Sequence, residues 1–124
     1  MSATDRRHPI IIAESNFLTA RLLAASLQGA RHPIAIGGDG DQAIKLLELH
    51  GAKALVLNMN LSRPSGLEFL RSLRQRRPDV QVLAITAPGQ SELRAAARSL
   101  GVSEFFEIPF SPEEFVRRVE RMLA

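Results

Sequence analysis

Five times along the chain, a short apolar run suited to a strand is followed by a stretch with apolar residues at helical spacing. The runs are "PIIIA" (9–13), "PIAI" (33–36), "ALVLNM" (54–59), "VQVLAIT" (80–86) and "EFFEI" (104–108). Behind them come "NFLTARLLAASLQG", "DQAIKLLELHG", "SGLEFLRSLRQRR", "QSELRAAARSLG" and "SPEEFVRRVERML". An unbroken β-branched run such as Ile10–Ile12 reads as a strand covered on both faces. Strands that alternate with helices imply parallel pairing, because a parallel pair needs a crossover long enough to hold a helix. The punctuation agrees. Phe17, Leu18, Leu22, Leu23 and Leu27 fall at helical spacing, and Gly29 closes the first helix. Ser65 and Glu68 form a capping-box pair. Ser111 caps the last helix, Pro112 takes its first position and Glu114 completes a second box.

Five such units fill the 124 residues, so the chain divides into a tail, residues 1–7, and one domain, residues 8–124. The prolines suggest the strand order. Pro33 opens the second strand and Pro109 ends the fifth, while the other three carry no internal proline. Proline is tolerated at sheet edges and not in the middle. Strands two and five at the edges fit an α/β fold with a five-stranded parallel sheet, order 2-1-3-4-5, and helices on both faces. Ligands and chemistry in such sheets lie beyond the carboxyl ends of the strands, near the switch between strands one and three.

Composition removes several classes of function. There is no cysteine, hence no disulfide, thiolate nucleophile or cysteine-held metal. No apolar run is long enough to span a bilayer and "MSATDRRHP" has no signal-peptide core, so a cytoplasmic location is expected. The net charge is +3, and 14 of the 16 basic residues are arginine. Only "RSLRQRR" is clustered, and with no Tyr or Trp to stack on bases, the arginines read as solvated helical faces rather than a nucleic-acid surface. His8, His32 and His50 lack ligand spacing and read as surface positions.

The strand ends carry the chemistry-bearing residues. They are Glu14, Ser15 and Asn16 after strand one; Asn58, Met59 and Asn60 at strand three; Thr86 and Ala87 at strand four; Glu107, Ile108 and Pro109 at strand five. Together with "IIIAESN", "DGDQAIKLL", "LVLNMNLSRPSGLEFL", "AITA" and "GVSEFFEIPF", these make the chain resemble the receiver domain of two-component response regulators, from about His8 to Leu123. The resemblance implies the flavodoxin-like receiver fold. It also implies a pocket in which an acidic pair holds Mg²⁺, an aspartate ending strand three accepts a phosphoryl group, and a strand-five lysine pairs with its oxygens. Here Glu14 keeps the first acid, but Ser15 stands at the second, Asn58 at the acceptor and Ile108 at the lysine. Thr86 matches the family's switch threonine and Phe105 its switch aromatic. Asn60 stands where a backbone carbonyl would face the metal, and Pro109 where the family has a cis proline.

An amide has its lone pair delocalised and is no nucleophile, unlike a carboxylate. Mg²⁺ prefers carboxylate oxygens, of which Glu14 alone remains, so Mg²⁺ binding is expected to be weak or absent. The lysine, without an acceptor carboxylate, would be an unpaired semi-buried charge. The three changes together describe a degenerate, phosphorylation-independent receiver, a pseudo-receiver, that is not an enzyme and has no cofactor. The expected partner is a protein: a histidine kinase, another regulator or a second copy of itself, a homodimer being one such assembly. Neither nucleic acid nor membrane is expected to be contacted directly. The resemblance places contacts on the face of helix four, strand five and helix five. Arg94, Arg98, Arg117, Arg118 and Arg121 lie there beside Glu92, Glu107 and Glu120, although a plain solvated surface is the commoner fate of such residues.

Three alternatives remain open. The first is a receiver modified, or gated by a ligand, at a non-standard residue, Ser15 and Ser62 being the hydroxyls at hand. The second is a dinucleotide-binding domain using Gly38, Gly40 and Ala43, which satisfy the loose glycine fingerprint. Against it, Asp39 and Asp41 would repel a pyrophosphate and the ribose position, Asn58, is an amide. The third is an excerpt of a longer regulator whose DNA-binding output lies elsewhere; the chain itself carries no helix-turn-helix pattern.

Overall fold

A computed structural model describes residues 9–30, 32–62, 64–109 and 111–124. The expected tail, His8 and the Phe110 of "IPF" lie outside the described residues. The chain runs β1 (Ile10–Ala13), α1 (Phe17–Ser26), β2 (Ile34–Gly37), α2 (Gly40–His50), β3 (Ala54–Asn58), α3 (Gly66–Arg76), β4 (Gln81–Thr86), α4 (Ser91–Ser99), β5 (Glu104–Glu107) and α5 (Pro112–Leu123). The five strands are parallel, in the order β2-β1-β3-β4-β5. The edge positions marked by Pro33 and Pro109 are therefore β2 and β5.

Alternation along the strands divides the interior into two layers. Ile11, Ala13, Leu55, Leu57, Val82, Ala84 and Phe105 pack on one face against Leu47 of α2, Phe69 and Leu73 of α3 and Ala97 of α4. Ile10, Ile12, Val56, Leu83, Ile85 and Phe106 pack on the other against Leu23 of α1 and Phe115 and Val119 of α5. Successive side chains point to opposite faces, so one register slip would exchange the two layers. Phe106 and Phe115 meet edge to face, with ring centroids 5.6 Å apart.

The structure corrects two details at helix ends. Gly29 does not close α1; the helix stops at Ser26, and Leu27 caps it before a 3₁₀ turn over Gln28–Ala30. At α5 only half of the expected box forms. The Ser111 hydroxyl accepts the Glu114 N–H, but the Glu114 carboxylate turns to Arg117 and Arg118. The Ser65–Glu68 box of α3 is complete. A third difference concerns the face of α1: of its expected apolar stripe, Leu23 and the capping Leu27 are buried, while Phe17, Leu18 and Leu22 are exposed.

Two contacts set the loops. Gly66 opens α3 so close to the chain that an added Cβ would lie 2.5 Å from the Met59 carbonyl oxygen. The β3–α3 loop therefore folds tightly over the end of β3. At the opposite end of the sheet, Arg74 donates to the carbonyls of Leu100 and Val80, each at 2.6 Å. This ties α3 to the end of α4 and to the chain entering β4, and burial holds the guanidinium below its ordinary pKa. Among the described residues, no helix is long and apolar enough to cross a membrane.

Candidate functional site

The carboxyl ends of β1, β3, β4 and β5 bring the sequence-predicted residues together, on the two faces that strand parity dictates. Glu14 continues the parity of Ile10 and Ile12, and Asn58 that of Ala54 and Val56, so both belong to the α1–α5 side. Thr86 continues the parity of Val82 and Ala84 toward the other layer.

Glu14 is buried, at 4% exposure, and its two carboxylate oxygens are both engaged. Oε1 accepts from Asn58 Nδ2 at 2.6 Å and Oε2 from the Asn16 backbone N–H at 2.9 Å. The amide of Asn58 thus offers its donor side to the acid. Its oxygen turns the other way and accepts the Asn60 N–H at 2.9 Å. A buried carboxylate needs donors around it, and an amide and a backbone N–H supply them without a cation.

A residue not singled out in the sequence completes the arrangement. Gln90, at the start of α4, exchanges hydrogen bonds with the Asn60 side chain: Gln90 Nε2 donates to Asn60 Oδ1 at 3.0 Å, and Asn60 Nδ2 to Gln90 Oε1 at 3.4 Å. The same Gln90 oxygen accepts the Ala87 N–H at 2.6 Å. The β3–α3 and β4–α4 loops are clasped by a pair of amides. Glutamine is not a preferred helix cap, and its side chain here makes no cap hydrogen bond, so propensity carried no signal for it.

Thr86 is fully buried, and among the described residues its hydroxyl has no hydrogen-bond partner. Phe105 is buried in the core layer, with the Arg98 guanidinium 4.9 Å from its ring centre and Arg118 bonded to its carbonyl oxygen at 2.6 Å. Ser15 is exposed, Ile108 is 40% exposed, and the Ile108–Pro109 bond is cis.

The sequence model of the response regulator receiver domain matches residues 10–120. The chain belongs to the response regulator receiver domain family. Within it, this receiver is 30% identical over 114 residues to the probable transcriptional regulatory protein TcrX of Mycobacterium tuberculosis, covering 92% of this chain and 49% of that protein. The alkaline phosphatase synthesis transcriptional regulatory protein PhoP of Bacillus subtilis is 26% identical over the same length, covering 92% of this chain and 48% of PhoP. The chain thus spans about half the length of the curated relatives it matches. A putative response regulator of Chloroflexus aurantiacus superposes with a TM-score of 0.87 at 25% identity, over 96% of this chain and 99% of that one. CheY4, a chemotaxis response regulator of Vibrio cholerae, shares the fold, with a TM-score of 0.85 at 17% identity over 94% and 99% of the two chains. The receiver is a two-component signalling module with the flavodoxin-like fold.

The basic face also has its geometry. Arg94 pairs with Glu107 at 3.1 Å, and Glu114 is held by Arg117 and Arg118 at 2.6 and 2.7 Å. Arg121 lies 3.9 Å from Glu104. Hydrogen bonds from Arg118 first and Arg117 second hold the Glu114 carboxyl below its ordinary pKa.

Proposed function

We propose that this receiver works without aspartyl phosphorylation, as a protein-binding module whose phosphoryl chemistry has been removed. The observation that carries the reading is the 2.6 Å hydrogen bond from the Asn58 amide to Glu14. An amide at the acceptor place has no carboxylate oxygen with which to attack a phosphoryl donor. The donor set does not fit Mg²⁺ either. Among the described residues Glu14 is the lone acid there, its two oxygens already accept hydrogen bonds, and Asn58 turns a donor toward it. A hard dication that dehydrates reluctantly would have to displace both bonds for a single carboxylate. Ile108 at the lysine position removes the cation that the missing charges would otherwise have balanced.

The binding partner is a histidine kinase, another regulator or a second copy. The proposed contact face is α4–β5–α5, where Arg117 and Arg121 keep most of their side chains exposed. Arg94, Arg118 and Arg98 are engaged within the chain, by Glu107, by Glu114 and by the Phe105 ring. No catalytic residue, nucleic-acid contact or membrane contact belongs to this reading, and it places the domain, from residue 8 onward, in the cytoplasm.

The dinucleotide alternative loses its support at the start of α2. Asp39 caps the Gln42 N–H at 2.8 Å, and Gln42 in turn accepts the Gly38 N–H at 2.9 Å. A Cβ on Gly40 would lie 2.7 Å from Pro64 and 2.9 Å from Phe69, so this glycine is explained by packing. Modification at Ser15 or Ser62 also lacks support, since neither exposed hydroxyl has a base bonded to it among the described residues.

Reversal tests the proposal. Ser15→Asp, Asn58→Asp and Ile108→Lys together restore three carboxylates and a lysine, and the triple variant is expected to gain Mg²⁺-dependent phosphoryl uptake from acetyl phosphate. Asn58→Asp alone exchanges a donor for a second carboxylate against Glu14. It is expected to remain inert and to lose about 1–3 kcal/mol of stability at neutral pH. A triple variant that folds and takes up nothing would show that the resemblance is one of fold only.

A further inference from the structure

A cavity of about 190 Å³ lies directly beside Asn58, between α1 and the sheet. Its floor is one row of the sheet: Asn58 on β3, Ile85 paired with it on β4, and Phe106 paired with Ile85 on β5. Leu22 and Leu23 of α1 form the roof and Ile108 the lip. Apart from Asn58 and the hydroxyl of Thr19, the described lining is apolar. The replacement of a lysine by Ile108 therefore has a second consequence, because the lip is now apolar. Leu22 and Ile108 are 58% and 40% exposed, so both have apolar surface left to bury.

The lining narrows the ligand. A cavity of about 150 Å³ accommodates benzene, whereas sites for drug-sized ligands run to roughly 300–1,000 Å³. A single ring fits; a nucleotide does not. Among the described residues no cation lines the cavity, and the Glu14 carboxylate lies just behind Asn58, so an anion is disfavoured. One Asn58 amide hydrogen goes to Glu14, and among the described residues the other has no acceptor and is available to a ligand.

We propose that this cavity binds a small, neutral, mostly apolar molecule with one hydrogen-bond acceptor, held by the second N–H of Asn58. Its occupancy is read out at the β4–α4 loop. The route is a continuous amide relay: the Asn58 oxygen accepts from Asn60 N–H, the Asn60 and Gln90 side chains bond each other, and Gln90 accepts from Ala87 N–H. The inference rests on Asn58 being an unmodified amide, as the proposed function holds.

The test is an NMR titration of the full chain with cyclohexanone, benzene and cyclohexanecarboxylate, with neither Mg²⁺ nor a phosphodonor present. Cyclohexanone is expected to give saturable shifts of the Leu22, Ile85 and Ile108 methyls, the Asn58 side-chain amide, and the Ala87 and Gln90 amides. Benzene, which lacks the acceptor, is expected to bind about three- to tenfold more weakly, the equivalent of one hydrogen bond. The carboxylate is expected not to bind. Leu22→Trp fills the roof from an exposed position, where the fold tolerates it, and is expected to weaken cyclohexanone binding about tenfold or more, on the scale of lost apolar burial. Gln90→Ala is expected to keep binding and lose the Ala87 shift. No saturable cyclohexanone shift, or unchanged affinity in Leu22→Trp, would overturn the site. Equal affinity for benzene would overturn the role of Asn58, and a persistent Ala87 shift in Gln90→Ala would overturn the relay. Since no phosphodonor is present, failure here leaves the phosphorylation reading standing. A phosphoryl adduct at Asn58 would instead remove the premise.

Discussion

Thr86 and Glu114 show how differently two polar side chains can be placed in one small domain. Among the described residues the Thr86 hydroxyl is buried without a partner, a condition that costs about 1–3 kcal/mol when nothing offsets it. Thr86→Val keeps the shape and removes the unmet group. It is expected to leave stability unchanged or raise it by about 1 kcal/mol, measured by urea denaturation; a loss of that size would mean that the hydroxyl has a partner in solution. Glu114, by contrast, is held by two arginines that lower its pKa. Its contribution to stability is therefore complete above the ordinary carboxyl pKa and is lost as pH falls through the lowered one. Arg118→Ala, removing the larger cause, is expected to raise the Glu114 midpoint in a carboxyl-carbon NMR titration, and an unmoved midpoint would contradict the assignment. At this scale the sequence was readable wherever periodicity fixed a strand end. Glu14, Asn58, Thr86 and Ile108 lie there because the sheet places them. The hydrogen bond between Glu14 and Asn58 was not readable, since it joins positions 44 apart in sequence.

Among the elements, α1 departs most from its pattern. Phe17, Leu18 and Leu22 fit helical spacing with Leu23 and Leu27, yet they stay largely exposed. Spacing identifies a helix, but a stripe wider than the sheet can cover leaves part of itself unburied. Arg21 lies over the exposed Phe17 ring at 5.4 Å, which shields one face of it. The β4–α4 loop was also illegible, because its anchor is a glutamine at a helix start, a position where glutamine has no particular meaning. Gln90→Ala removes the acceptor of the Ala87 N–H and both bonds to Asn60. Hydrogen exchange at Ala87 is expected to accelerate about tenfold or more, while the amides of β4 keep their protection. Unchanged exchange at Ala87 would show that the loop is held by something other than the clasp.

For the whole molecule, the strand order followed from two prolines and from the alternation of strands with helices, both of which act through backbone geometry that the sequence displays directly. The helices divide two and three between the faces, and that division puts α1 and α5 over Glu14 and Asn58. The receiver fold is thus retained, and on the proposed reading its site keeps Glu14 and carries an amide, a hydroxyl and an aliphatic chain at Asn58, Ser15 and Ile108. The most direct measurement is the intact mass of the native protein after incubation with acetyl phosphate and Mg²⁺. With Asn58 bonded to Glu14 and no acceptor carboxylate in the pocket, the mass is predicted to stay unchanged. An added phosphoryl group, whether labile or stable in acid, would contradict it.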